Sequence, residues 1–197
     1  MGASVTAAAE AVLQMIRKMA GVSDKTVLML LDLLHRCFSD FSMGKAFSES
    51  LIDVYPYCVT DDGVRFLVFR RAGVVMYAGQ WRMIGGKVGD GESRAMAALR
   101  ELKEETGCDT ELFWTVPSVN QFYDAASDTI HHIAAFAACL DRHAPIRLNH
   151  EHDHYQWIKI QDVKNFIKWP EQVRLIYLIH DILTGDGVMP EWLISER

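Results

Sequence analysis

The stretch from Gly85 to Cys108 reads GGKVGDGESRAMAALRELKEETGC, and the rest of the chain is best understood outward from it. Its first part holds Gly85, Gly86, Gly89 and Gly91. Glycine accepts tight turns and lets backbone approach a ligand closely, so this part predicts a loop. The loop feeds a helix over Ser93–Thr106, stopped by Gly107. Ala95, Ala98, Leu99 and Leu102 form one apolar face, small enough to pack tightly on a sheet. Glu101, Glu104 and Glu105 stand at i, i+3 and i+4 and share another face. Like charges so placed repel one another, and something must offset them. Magnesium is the natural candidate, because it takes hard oxygen ligands and keeps waters that substrate phosphates can replace.

Strand-like texture surrounds this segment. Ile52–Val59 is extended and rich in β-formers, Asp61-Asp62-Gly63 is a turn, and Val64–Arg71 returns as a second strand. A short strand over Gln80–Ile84 leads to Gly85-Gly86. Downstream, strands are expected over Leu112–Gln121, Ile130–Leu140 and Tyr155–Ile160, and helices over Gln161–Lys168 and Glu171–Leu183, with Pro170 starting the last. Strands and helices interleave, so the expected class is α/β, a mixed β-sheet sandwiched between α-helices.

Ahead of this domain, taken as residues 46–197, the first 45 residues read as a helical extension. Val12, Met15, Ile16 and Met19 have helical spacing; after Gly21, a second helix carries Val27, Leu28, Leu30, Leu31, Leu34 and Phe38. Those leucines need a partner surface, on the main domain or on a second subunit of a homodimer. Met43 offers an alternative start, and on that reading the extension is an artefact of the deduced sequence.

Bulk properties bound the function. The 197 residues carry a formal charge of -6, which argues against nonspecific nucleic-acid or anionic-membrane binding. A phosphorylated small molecule remains an acceptable partner, because bound divalent cations invert the local field. Cys37, Cys58, Cys108 and Cys139 are widely spaced with no CxxC pair, as expected of free thiols in a reducing cytoplasm. The first sixteen residues hold no Lys or Arg, so no secretory leader is expected, and the longest apolar run is too short and polar to span a bilayer.

The glycine loop and acidic helix resemble the Nudix box, G-x5-E-x7-R-E-U-x-E-E-x-G-U, with U a bulky aliphatic. Gly86, Glu92, Arg100, Glu101, Glu104, Glu105 and Gly107 match every fixed position; Leu102 fits the first U and Cys108 departs mildly at the second. Seven such identities arise by chance on the order of 10⁻⁸ per start position or less, which disfavours a merely solvated acidic helix. The resemblance implies the Nudix fold and hydrolysis of a phosphoanhydride by water with Mg2+, or Mn2+ as a substitute. It places metal on Glu101, Glu104 and Glu105 with help from the Gly85 carbonyl. It gives Arg100 the task of holding the glutamates and Glu92 that of bracing the loop–helix junction, with Lys87 beside it.

Further on, Glu151-His152-Asp153-His154-Tyr155-Gln156-Trp157 resembles the E-H-x-x-Y-x-W stretch of the dihydroneopterin triphosphate pyrophosphatase branch. There the matching Glu faces the metals, so Glu151 is expected as a further metal ligand and as the general base. Lys87, Trp81 and Tyr55 are candidates for substrate contact, with Tyr77, Phe122 and Tyr123 as further rings for stacking. Asn120 and Gln121 could read a ring edge, and His131-His132 could reach the base or phosphate. His150, His152 and His154 alternate, which admits a transition-metal face, though a polar loop beside Glu151 is the simpler reading. The leading expectation is a pyrophosphohydrolase of a pterin or nucleoside triphosphate. The alternatives are a housecleaning (d)NTP pyrophosphohydrolase and a non-catalytic nucleotide-binding module.

Overall fold

A computed structural model describes residues 47–73, 75 and 77–195, all within the compact unit Lys45–Arg197. The helices expected in residues 1–45 lie outside the described residues. The elements are β1 (Phe47–Thr60), β2 (Gly63–Arg71), β3 (Trp81–Arg82), β4 (Ile84–Lys87), α1 (Arg94–Thr106), β5 (Leu112–Asp124), β6 (Thr129–Cys139), β7 (His152–Lys159), α2 (Val163–Phe166) and α3 (Pro170–Thr184). Single 3-10 turns sit at Ile160–Asp162 and Pro190–Trp192.

The seven strands make one mixed sheet in the order β3-β2-β1-β6-β5, with β4 also pairing β1 and β7 also pairing β2. Only β1 and β6 run parallel among these pairs. Side chains alternate across β1. Ile52 and Val54 join Leu67, Phe69, Ile84, Ala97, Ala98 and Leu102 under α1. Tyr55 and Tyr57 join Phe66, Trp114, Leu175, Ile176 and Ile179 under α3. The sheet is therefore covered on both faces, as the interleaved sequence predicted. Small Ala97 and Ala98, both fully buried, let α1 pack close to the sheet.

The differences from expectation are local and have identifiable causes. The strand expected to stop before Gly85-Gly86 instead breaks at Met83, and β4 runs through both glycines, pairing Gly85 with Asp53 and Gly86 with Ile52. A Cβ at Gly86 would collide with the Glu101 side chain, so bare backbone is what lets strand and helix meet here. The helix expected over Gln161–Lys168 shrinks to Val163–Phe166: a 3-10 turn occupies Ile160–Asp162, Ile167 is already extended, and Pro170 holds its predecessor Trp169 extended at φ -80° and ψ 112°. Strand β5 reaches Asp124 across an irregularity between Thr115 and Val119, where Pro117 cannot donate to a ladder.

Candidate active site

Helix α1 carries the acidic groups, and its ends are fixed locally. The Ser93 side chain accepts from the Met96 N–H at 3.2 Å, and Gly107 takes the left-handed φ of 73° that closes the last turn. Midway along the helix, Arg100 organises the loop. It donates to both oxygens of Glu92 at 3.0 and 3.1 Å, to Glu101 at 2.8 Å and to the Lys87 carbonyl at 2.9 Å. Its contact with Glu104 is longer, at 3.5 Å. Glu92 also accepts from the Gly89 N–H at 2.9 Å. These charge-assisted bonds hold the Glu92 carboxyl below its usual range, the Arg100 contact being the larger cause. Glu92 and Arg100 thus link loop and helix through these bonds, and Lys87 joins them through its backbone carbonyl.

The three glutamates are not equivalent. Glu104 is largely exposed, Glu101 is mostly covered, and Glu105 is fully buried. Both carboxylate oxygens of Glu105 lack a hydrogen-bond partner. Burial first, then the Glu151 and Glu101 charges, push its carboxyl up to about 9. His152 Nδ1 lies 3.3 Å from it, but out of line for a hydrogen bond. Burial, with help from Arg71, takes His152 down to about 4, so a neutral imidazole faces Glu105 and gives its carboxylate no countercharge. Burial also raises Glu101, against the pull of Arg100.

Glu151 enters from the turn before β7. Its N–H is capped by Asn149 at 2.9 Å, its carbonyl accepts from Ala72 at 2.8 Å, and its carboxylate meets Arg71 at 2.7 Å. Glu101, Glu151, Gly85, Gly86 and Lys87 line one cavity of about 820 Å³. This is the size range of a small-molecule site. Among the described residues no three carboxylates or imidazoles converge closely enough to ligate one ion as they stand. The donor chemistry nevertheless fits a hard divalent cation. A buried carboxylate with two orphaned oxygens, next to two further carboxylates, is a configuration that a cation relieves.

The substrate-contact candidates separate. Lys87 is on the cavity wall, as are Tyr77, Phe122 and Tyr123. Tyr55 is fully buried in the core and hydrogen-bonded to Asp53 at 3.2 Å, so its ring is not available for stacking. Trp81 packs edge-on to Phe166 at 5.2 Å and is not part of the cavity lining. Asn120 is committed to Asp53 at 2.6 Å, and His131 stacks on Phe122 at 4.7 Å. The alternation of His150, His152 and His154 is broken by a register shift where β7 meets Arg70 and Arg71. His152 turns into the core, whereas His154 stays exposed beside Asp153 and Arg70. Sequence reasoning missed Asp53, Arg71, Arg82, Trp169 and Gln172 on the cavity wall. Only Asp53 carried a signal, as a charge inside the apolar run Ile52–Val59.

A glycine strand thus runs under an acidic helix held by a clamp arginine, beside a cavity lined from both faces of the sheet. The NUDIX domain family model matches residues 53–178, and the chain belongs to that family. It is a Nudix hydrolase. The nucleoside triphosphatase NudI of Klebsiella pneumoniae (strain 342) is 31% identical over 98 residues, covering 46% of this chain and 70% of that protein. Among solved structures, a Caenorhabditis elegans Ap4A hydrolase in a binary complex superposes with a TM-score of 0.60 at 21% identity, over 70% of this chain and 99% of that one. The Escherichia coli dihydroneopterin triphosphate pyrophosphohydrolase gives 0.57 at 22% identity, over 66% and 93%. At these identities the two structures speak for the fold alone.

Proposed function

We propose that this chain is a divalent-cation-dependent pyrophosphohydrolase of a nucleoside or pterin triphosphate, releasing the monophosphate and pyrophosphate. The observation that carries the reading is Glu105, a fully buried carboxylate with neither oxygen paired, beside Glu101 and Glu151. The naming of the Klebsiella relative as a nucleoside triphosphatase supports a triphosphate substrate. Glu101, Glu104, Glu105 and Glu151, with the Gly85 carbonyl, would hold Mg2+, or Mn2+ in its place. A bound cation of this kind neutralises phosphate charge and makes water a better nucleophile at neutral pH.

The chain's own groups supply the rest. Arg100 fixes the Glu101 carboxylate against the Gly86 backbone, so the acid cannot swing away from the loop. Lys87 and Arg71 put positive side chains on the cavity that must take a polyanionic arm. Glu151 is the proton acceptor for the attacking water in this reading, since it approaches from outside α1 and lines the same cavity as Glu101. No covalent step is needed, and no nucleophilic Ser or Cys is assigned. The intact carboxylate set disfavours a non-catalytic module. The free thiols of Cys58, Cys108 and Cys139 suit a reducing cytoplasm, and among the described residues no helix is long and apolar enough to cross a membrane.

The test is a panel of nucleoside triphosphates and dihydroneopterin triphosphate, with Mg2+ or with chelator, scoring pyrophosphate and phosphate separately. Pyrophosphate release that stops in chelator is expected. Release of phosphate alone, or full activity in chelator, would overturn the reading.

A further inference from the structure

Part of the cavity wall is built from residues with no part in the hydrolytic chemistry. Asp53 lies in the middle of β1, on the face toward α3, and is almost fully buried. Its Oδ2 accepts from Asn120 Nδ2 at 2.6 Å, Tyr55 Oη at 3.2 Å and Gln172 Nε2 at 3.3 Å. Three neutral donors from β1, β5 and α3 thus saturate one oxygen. Oδ1 takes no hydrogen bond among the described residues, although Asp53 lines the cavity. Gly85 stands opposite it in the β1–β4 ladder, and Oδ1 is 3.5 Å from where a Cβ at 85 would sit.

Aromatic residues and one cation complete this end. The Arg82 guanidinium lies 4.7 Å from the Tyr77 ring centre and 4.5 Å from that of Trp169. Trp169 meets Phe122 edge-on at 5.2 Å. Tyr77 adopts a left-handed backbone, φ 63°, which a bulky residue tolerates only when its surroundings hold it. The two rings flank the guanidinium and limit its movement, while its edge N–H groups keep their capacity to donate. Gln172, by contrast, is engaged at both ends: its amide oxygen accepts from the Met83 N–H at 3.2 Å and its nitrogen donates to Asp53.

One carboxyl acceptor and one guanidinium donor therefore line a cavity with aromatic walls. We propose that Asp53 is the specificity residue of this cavity: Oδ1 accepts from the adjacent ring and exocyclic N–H groups of a 2-amino-4-oxo pyrimidine ring, as in guanine or a reduced pterin, while Arg82 donates to the ring carbonyl. The inference rests on the triphosphatase reading and narrows its substrate class. An edge that sets two neighbouring N–H donors beside a carbonyl satisfies both groups. Adenine offers a single amino donor beside a ring nitrogen, and uracil flanks its N–H with two carbonyls that the carboxylate repels. A buried charge left unmatched is costly, which is how such a site discriminates.

The experiment compares kcat/KM of the wild-type protein for guanosine, inosine, adenosine and dihydroneopterin triphosphates. Guanosine triphosphate or the pterin should exceed inosine triphosphate, which lacks the 2-amino group, by roughly tenfold or more, and adenosine triphosphate by more again. The guanosine and pterin arms decide which source of the shared ring is used. In Asp53→Asn the three donors on Oδ2 hold the amide oxygen in its place and turn the NH2 into the cavity. That variant should prefer xanthosine triphosphate, whose 2-oxo group accepts, over guanosine triphosphate, mainly through KM. A wild-type enzyme that handles adenosine triphosphate as well as guanosine triphosphate overturns the proposal, as does a folded Asp53→Asn enzyme with an unchanged ranking. If the wild type cleaves no triphosphate, the triphosphatase reading fails. Tryptophan-fluorescence titration with guanosine, inosine and adenosine monophosphates then still tests Asp53, and equal affinities would reject it.

Discussion

At the scale of single residues, the site is governed by how unequally three neighbouring glutamates are buried. Glu105 has its carboxyl raised from 4.5 to about 9, chiefly by burial. A raised folded-state value means that the neutral acid is favoured in the fold. Its contribution is fully present below about 4.5 and is lost as pH climbs toward about 9. In chelator, the thermal midpoint should therefore fall between pH values of about 5 and 9, and Glu105→Gln should flatten that slope. Adding Mg2+ should raise the wild-type midpoint most at the alkaline end and do little for the variant. A wild-type slope identical to that of Glu105→Gln would reject the account. Glu151 is the next residue to test. Glu151→Gln should keep the fold and lower turnover by about 10²–10⁴-fold if Glu151 is the base. A Glu151→Gln enzyme within threefold of wild type, beside a dead Glu101→Gln enzyme, would move that role to Glu101. Direct metal titration of both variants separates a lost ligand from a lost base.

At the scale of elements, the decisive unit is β4, its loop and α1. Their mutual position depends on Arg100, whose planar fork reaches Glu92, Glu101 and the Lys87 carbonyl at once. A lysine ammonium is one compact donor group and cannot span those acceptors. Arg100→Lys should lower kcat/KM by at least roughly tenfold while secondary structure by circular dichroism stays intact. A variant of unchanged rate would show that the clamp is dispensable. The limits of α1 were legible in the sequence, because Ser93 and Gly107 act through local backbone geometry. The shortening of α2 was less so. No turn residue in the sequence marks its stop at Phe166, and Pro170 acts only on its predecessor, leaving Trp169 extended on the cavity wall.

At the scale of the molecule, two apolar layers clamp one mixed sheet, and the cavity draws on both of its faces. Glu101 and Gly86 come from the α1 side, Asp53 and Gln172 from the α3 side. Every residue assigned a role here lies between Asp53 and Gln172. Deleting residues 1–45 should therefore leave turnover within a few-fold, while changing solubility or assembly state if the apolar spacing of Leu28, Leu31 and Leu34 serves a subunit contact. Steady-state kinetics and sedimentation of the truncated chain check both parts. A well-folded truncation with no turnover would show that this segment builds the site.

The sequence by itself determined the class. Seven fixed positions from Gly86 to Gly107 mark the hydrolytic helix, and alternating apolar residues in β1 and β2 place a sheet beneath it. Those signals are local: helix caps, glycine backbone and side-chain periodicity depend on near neighbours in the chain. Only the tertiary structure decided which aromatic residues meet the cavity, burying Tyr55 in the core, packing Trp81 against Phe166 and bringing Tyr77, Phe122 and Trp169 to the wall. It likewise joined Asp53 to Asn120 and Gln172, 67 and 119 residues away. It also broke the histidine alternation by a register shift between β2 and β7. Contacts of this kind depend on strand register and on which face of the sheet each helix covers. They are set by burial summed over the whole core, a quantity that no single stretch of the chain contains.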